Sequence, residues 1–208
     1  MKKLLLSLIA VSALAFSTQA QTEKGNLVVG GTVQYKSEKV DGASKSNQTF
    51  QIIPSAGYFV ADNLAIGTGI GYQYAKSYGA SLGGVTLPSL QTSAFVISPF
   101  ARAYKGVTDQ FKFFGQLSVP MSFGNNKVGD ANGDNLTKIG KNNTIGIALS
   151  PGFAFFPTKK LGIEFAVQGI SYNDNKLENA NGEKISGSKD FNIGADFFAP
   201  KIGVQFYF

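Results

Sequence analysis

Residues 64–74 read LAIGTGIGYQY, and this stretch decides the fold class of the protein. Large side chains and one Thr occupy every second position, and the positions between them hold only Ala, Gly and Gln. Successive side chains of a β-strand point to opposite faces, so a period of two predicts a strand whose two faces meet different surroundings. One face is apolar and the other is nearly bare.

Seven further stretches alternate in the same way, and their apolar faces begin at Leu27, Phe50, Phe95, Phe111, Ile145, Leu161 and Phe191. Short and long connections take turns between these eight predicted strands. The short ones are 61–63, 105–110 and 157–160, and the long, polar ones are 37–48, 77–89, 124–142 and 173–190. This pattern is typical of transmembrane barrels. We therefore predict an all-β protein, an eight-stranded antiparallel up-and-down transmembrane β-barrel.

Prolines recur in the even-numbered strands, at Pro54, Pro99, Pro151 and Pro200, within similar octapeptides such as IIPSAGYF and ISPFARAY. This recurrence predicts repeated copies of one hairpin. Because proline cannot donate a ladder hydrogen bond, we expect a bulge or a missing bond beside each proline. The alternation of the last strand changes phase near 198–200, which predicts a bulge there.

The N-terminus has the order of a secretory signal peptide, with two lysines, an apolar stretch over 4–16 and small residues up to Ala20. We expect residues 1–20 to be removed by cleavage after Ala20, which leaves 21–208 as one outer-membrane barrel domain. The apolar stretch is shorter than the roughly 20 residues that a membrane-spanning helix needs. A helical membrane protein is therefore excluded.

The composition excludes several functional classes. The chain has no Cys and no His, which removes disulfides, zinc-thiolate sites and the proton carrier that enzymes of small-barrel type use near neutral pH. We predict that the protein is not an enzyme, with no catalytic residue, cofactor or metal. The positive charges are spread over many connections instead of one stripe, so no nucleic-acid partner is expected. Only 15% of residues are charged, against about 25% in soluble domains.

Five charged residues fall on the small and polar face of the predicted strands: Arg102, Lys112, Glu164, Asp196 and Lys201. An eight-stranded barrel has an interior just wide enough to be filled by side chains, so these groups are predicted to meet in a narrow, filled polar lumen. They could form a gate, with Arg102 and Glu164 as a breakable pair, or a purely structural network. We favour the network, because eight strands leave no open channel.

The signal peptide, the eight alternating strands and the C-terminal run GVQFYF over 203–208 resemble the OmpA/OmpX-like family of small outer-membrane barrels. The prolines and the Gln after the cleavage site resemble the "outer membrane beta-barrel" proteins of Bacteroidetes. The resemblance implies an outer-membrane location in contact with lipid and lipopolysaccharide. It also implies that the barrel-assembly machinery reads the last strand through Val204, Phe206 and Phe208.

The first functional hypothesis is a monomeric, membrane-anchored barrel with a structural or surface-interaction role, in which four extracellular loops bind a protein or surface ligand. The alternatives are a narrow porin-like channel for small solutes and a soluble secreted binder of the lipocalin kind. The faces of the sheet distinguish them. A membrane barrel requires the Phe- and Ile-bearing face outside, with Arg102 and Glu164 enclosed.

Overall fold

A computed structural model describes residues 21–41, 43, 45–79, 81–82, 85–194 and 201–208. The predicted signal peptide 1–20 and the predicted bulge at 198–200 lie outside the described residues. No helix with the length and hydropathy to cross a membrane occurs in the described part. The β-segments there are β1 (Leu27–Glu38), β2 (Asn47–Ala61), β3 (Leu64–Ser77), β4 (Ser81–Leu82), β5 (Val85–Thr86), β6 (Ser89–Gly106), β7 (Phe111–Ser118), β8 (Met121–Gly129), β9 (Thr137–Thr158), β10 (Leu161–Ala166), β11 (Ile170–Asn179), β12 (Lys184–Ile193) and β13 (Lys201–Tyr207).

These segments form a closed antiparallel barrel of eight strands, as predicted. Two of the strands are interrupted, so that β7 with β8 and β10 with β11 each form one strand. β12 and β13 are the described parts of the last strand, and β4 and β5 pair apart from the barrel. The sheet closes where β13 pairs with β1, from Val28↔Tyr207 to Gly31↔Val204. Closure pairs backbone groups between first and last strands, which an open sheet leaves exposed at its edges.

The two ends of the barrel differ. At the end that we call the turn end, the connections are short, at 62–63, 107–110 and 159–160. At the opposite, hairpin end, the strands continue into stretches that the sequence predicted as loops. β8 pairs with β9 as far as Val128↔Thr137, and β11 pairs with β12 as far as Glu178↔Lys184. The loop prediction was wrong over these stretches because a ribbon with polar surroundings on both faces loses the apolar alternation while keeping its backbone pairing.

The apolar face of the strands points outward, as the membrane hypothesis requires. Large apolar side chains are exposed around the barrel, among them Val29, Ile52, Ile66, Ile70, Phe95, Phe113, Leu117, Phe123, Ile145, Ile147, Phe191, Ile202 and Val204. Glu164 is buried, and Arg102 lies beside it in the interior. A soluble carrier of the lipocalin kind would need the opposite arrangement, so this alternative loses its basis.

Pro54 and Pro151 lie beside interruptions of the sheet. β2 and β3 have no paired residues between Ile52↔Tyr72 and Ser55↔Gly69, the interval that contains Pro54. On its other side Pro54 faces Gly31, whose φ is 151° and whose Cβ, if present, would lie 2.7 Å from the Pro54 Cα. Only glycine fits this crossing.

A second interruption lies beside Pro151, between β10 and β11. The neighbouring register passes from Gly152↔Ala166 to Leu149↔Ile170. One additional residue on the β10–β11 side marks a bulge there. Ile193 pairs with the exposed Ile170 and therefore faces outward. Ile202 is exposed as well, so the outward positions are odd-numbered in β12 and even-numbered in β13.

Candidate functional site

Aromatic rings fill the interior at the turn end. The buried cluster there consists of Val28, Phe59, Ala65, Tyr104, Phe114, Ala154, Phe156 and Tyr207. The Phe59 ring centroid lies 5.8 Å from that of Tyr104 and 6.2 Å from that of Tyr207, and Phe156 packs edge-on against Tyr207 at 5.1 Å. We call this cluster the aromatic plug. It leaves the turn end of the lumen closed by packed side chains.

An ion pair lies directly above the plug. Arg102 on β6 donates through Nη1 to both carboxylate oxygens of Glu164 on β10, at 2.8 and 2.7 Å. Their side chains are only 11% and 5% exposed. A buried ion pair is tolerated only when further hydrogen bonds offset the loss of water from both charges.

Those further hydrogen bonds are present. Gln116 Oε1 accepts from Arg102 Nε at 2.8 Å and from Nη2 at 2.6 Å. The Tyr207 hydroxyl donates to Glu164 Oε1 at 2.8 Å and lies 3.0 Å from the Tyr104 hydroxyl. The guanidinium also stacks 4.6 Å from the Phe114 ring centroid. Arg102, Glu164, Gln116, Tyr104 and Tyr207 therefore form one satisfied set, which we call the polar floor.

Tyr104 and Tyr207 are not among the site residues that the sequence analysis names, and tyrosines near the strand ends of membrane barrels usually lie at the membrane interface. Both are buried inside the barrel. The alternation contained the signal, because Tyr104 is two residues from Arg102, and Tyr207 is two residues from the buried Gln205. Side chains two positions apart share a face of the strand.

Lys112 lies apart from the polar floor, at the mouth of the turn end. Its Nζ donates to Thr22 Oγ1 and, at 3.3 Å, to Asn63 Oδ1. Thr22 is only 2% exposed, and its carbonyl accepts from the Asn63 N–H at 2.7 Å. The Phe59 N–H donates to the Asn26 carbonyl at 2.9 Å. Residues 22–26 therefore cross the mouth of the turn end and close it further.

The remaining predicted site residues lie elsewhere or outside the described structure. Asp196 is outside the described residues. Lys201 begins β13 and pairs with Ala166, and its side chain is outside the described part. Val204 and Phe206 are exposed on the outer face, and Phe208 exchanges backbone hydrogen bonds with Leu27 at 2.7 and 2.8 Å. The terminal residues thus lie on the seam where the barrel closes.

A cavity of about 420 Å³ lies on the hairpin side of the polar floor. The prediction of a filled lumen therefore holds at the turn end, where the aromatic plug and the polar floor lie, and is wrong on the hairpin side, where the cavity lies. Small inward side chains explain the difference, since Ser98, Ser118 and Ser150 on adjacent strands are too short to meet across the lumen. Gln73 partly spans the space, accepting from Gln51 at 3.4 Å and donating to Ser122 at 3.3 Å.

The chemistry of the interior favours closure and hydrogen bonding. The Glu164 carboxylate is engaged by Arg102 and Tyr207, which leaves it poorly suited to act as a base. Within the described residues there is no group of three acidic, His or Cys side chains that could hold a metal ion. At the hairpin end, Asp130 accepts from the Asn132 and Asp134 N–H groups and from the Asn135 amide, so its carboxylate is used by its own turn.

Solved structures with a similar fold are outer-membrane and surface proteins. Neisserial surface protein A is 17% identical over 89% of this chain and 98% of that chain, with a TM-score of 0.45. OprG from Pseudomonas aeruginosa is 16% identical over 91% and 99%, with a TM-score of 0.49. A major outer membrane protein from Thermus thermophilus is 15% identical over 89% and 100%, with a TM-score of 0.46. No family model and no curated protein sequence matches the chain.

Proposed function

We propose that the protein is an integral outer-membrane β-barrel with a structural or surface-interaction role. The observation that carries this proposal is the exposed apolar belt on the outer face of the sheet. Soluble monomers rarely expose contiguous apolar patches beyond a few hundred Å². Acyl chains solvate such a belt, and the closed sheet satisfies its backbone groups internally, as the hydrocarbon region demands.

The proposal includes a route to the membrane. A Sec-type signal peptide, cleaved after Ala20, would deliver residues 21–208 to the periplasm. The barrel-assembly machinery would then recognise the last strand through Val204, Phe206 and Phe208. Support comes from the position of these residues, since Val204 and Phe206 expose apolar side chains beside the seam with β1.

The interior favours a closed barrel over a channel. From the middle of the barrel to the turn end, the lumen is blocked first by the polar floor, then by the aromatic plug and last by residues 22–26. We place the turn end in the periplasm and the hairpin end outside the cell, as is usual for such barrels. The ribbons β8–β9 and β11–β12 would then contact lipopolysaccharide and present their tips to a protein or surface ligand, with the barrel itself a monomer.

Membrane fractionation and heat-modifiability test this proposal. The mature chain should sediment with outer membranes, resist extraction by carbonate or urea, and migrate faster on unheated than on heated gels. In planar bilayers it should produce no stable conductance steps. A chain that stays in the aqueous phase without detergent would contradict the membrane location, and steady single-channel steps would favour the porin-like alternative.

A further inference from the structure

The cavity above the polar floor is lined by uncharged hydrogen-bonding side chains, such as Gln73, Ser98, Ser118 and Gln205, and by apolar side chains, such as Val96 and Phe100. In the described part of the chain, Arg102 and Glu164 are the charged residues of its lining. They neutralise each other at 2.7 Å. The cavity therefore offers many hydrogen bonds and no net charge.

Several of these groups have no protein partner. Ser118 and Gln205 are 8% and 6% exposed, so both are more than nine-tenths buried. Within the described residues, the side chains of Ser98, Ser118, Ser150 and Gln205 make no hydrogen bond to another protein group. Their polar atoms border the cavity, where water or a solute can satisfy them. Donors and acceptors from at least three barrel strands thus converge on one space without being used by the fold.

The cavity is also a dead end, because the polar floor and the aromatic plug separate it from the turn end. A solute that enters from the hairpin end would be held instead of passed on. The volume of the cavity, about 420 Å³, falls within the range of about 300–1,000 Å³ found for small-molecule sites. Phe100 adds an aromatic surface to the wall, against which the C–H face of a ring could pack.

We propose that this cavity, which we call the chamber, binds a small, uncharged, polyhydroxylated solute of the size of a monosaccharide or cyclic polyol. Hydroxyl groups would match the serine, glutamine and asparagine side chains. A charged solute would lose its water shell without gaining a counter-charge, since Arg102 and Glu164 already satisfy each other. The site is formed by the barrel interior, so it does not depend on the membrane location proposed above.

Binding to the folded protein in detergent micelles tests the proposal, with glucose and myo-inositol as uncharged probes and gluconate and glucosamine as charged ones. Saturation-transfer NMR and titration calorimetry should detect saturable binding of the uncharged pair and at least about tenfold weaker binding of the charged pair. Ser98→Leu should fill the chamber and abolish binding. Gln205→Leu keeps the volume but removes an amide, and should weaken binding by about fivefold or more.

Ser93→Leu is the matched control, because Ser93 lies on the same strand as Ser98 but outside the lining of the chamber. It should leave binding unchanged. Faster migration on unheated gels identifies the variants that fold, and Gln205→Leu keeps the test decisive if Ser98→Leu does not. The proposal is overturned if neither uncharged probe binds saturably, if the charged probes bind equally well, or if Ser98→Leu and Gln205→Leu fold and bind as the unmodified protein does.

Discussion

Arg102 and Glu164 depend on each other because neither has good access to water. Glu164→Gln would leave a buried guanidinium without its anion, and losing one partner of a buried pair costs about 3–5 kcal/mol. The double variant Arg102→Met with Glu164→Leu should be less destabilised than Glu164→Gln. Urea unfolding in phospholipid vesicles, followed by gel mobility, measures both, with the exposed Ser186→Ala as control. Equal stability of Glu164→Gln and the unmodified protein would show that water reaches the pair.

Gly31 is required by its backbone and by its neighbours. Its φ is 151°, and an added Cβ would lie 2.5 Å from the Ile53 carbonyl oxygen. Gly31→Ala should therefore destabilise the barrel by about 1–3 kcal/mol, as expected for a side chain forced into such a backbone conformation.

Gly115→Ala provides the comparison for Gly31→Ala. An added Cβ at Gly115 meets no atom within 4 Å, and Gly115 lies in the middle of strand β7, away from both of its ends. Its effect on unfolding by urea should stay within about 0.5 kcal/mol. Similar losses for the two alanine variants would contradict the close approach between Gly31 and the Pro54 region.

At the scale of the elements, the β8–β9 hairpin ends in a turn held by Asp130. The Asp134 N–H, which donates at 2.9 Å, is the main cause that lowers the pKa of Asp130, with further contributions from Asn135, Asn132 and Gly133. A lowered folded-state pKa means that the carboxylate stabilises the turn above its ordinary pKa of about 3.9. This contribution is lost as the pH falls through the lowered value.

NMR titration of Asp130 should therefore give a midpoint below that of a free aspartate. Amide exchange at Asn132 and Asp134 should accelerate across the same pH range. Asp130→Asn removes the titrating group, so the exchange of the two amides should no longer show this step. An unshifted midpoint would mean that the hydrogen bonds of the turn do not persist in solution.

The elements that the sequence predicts well are those with two different surroundings. Around Ile66 and Ile70 the period of two follows from an exposed outer face on one side and a confined lumen on the other. Pro54 and Pro151 mark interruptions because proline cannot donate a ladder hydrogen bond. The strand pairing of the ribbons β8–β9 and β11–β12 at the hairpin end was not predicted, because residues such as Asn125 and Lys127 are polar on both faces of the ribbon and show no apolar alternation. The cavity was missed for another reason, since side-chain alternation reports direction and carries no measure of the distance across the lumen.

At the scale of the whole molecule, the interior of the barrel is packed at the turn end and holds a cavity on the hairpin side. Residues 22–26 and the aromatic plug close the turn end, the polar floor crosses the middle, and the chamber occupies the hairpin side. The same strands thus provide both the exposed outer face and the inner face, which lines the packed turn end and the chamber. This division leaves the outer face apolar while the inner face carries most of the polar side chains.

The outer face can be tested against the inner face on a single strand. Ile147 lies exposed in the belt on β9, and Thr144 lines the chamber on the same strand. A lysine on the lipid face near the bilayer midplane costs about 2–4 kcal/mol. Ile147→Lys should therefore lower the urea midpoint and the yield of folded protein in vesicles. Thr144→Lys should do so less, because the cavity offers its ammonium group hydrogen bonds, although no counter-charge. If the two lysines have equal effects, or if Thr144→Lys is the more damaging, then the face that carries Ile147 is not the one that meets hydrocarbon.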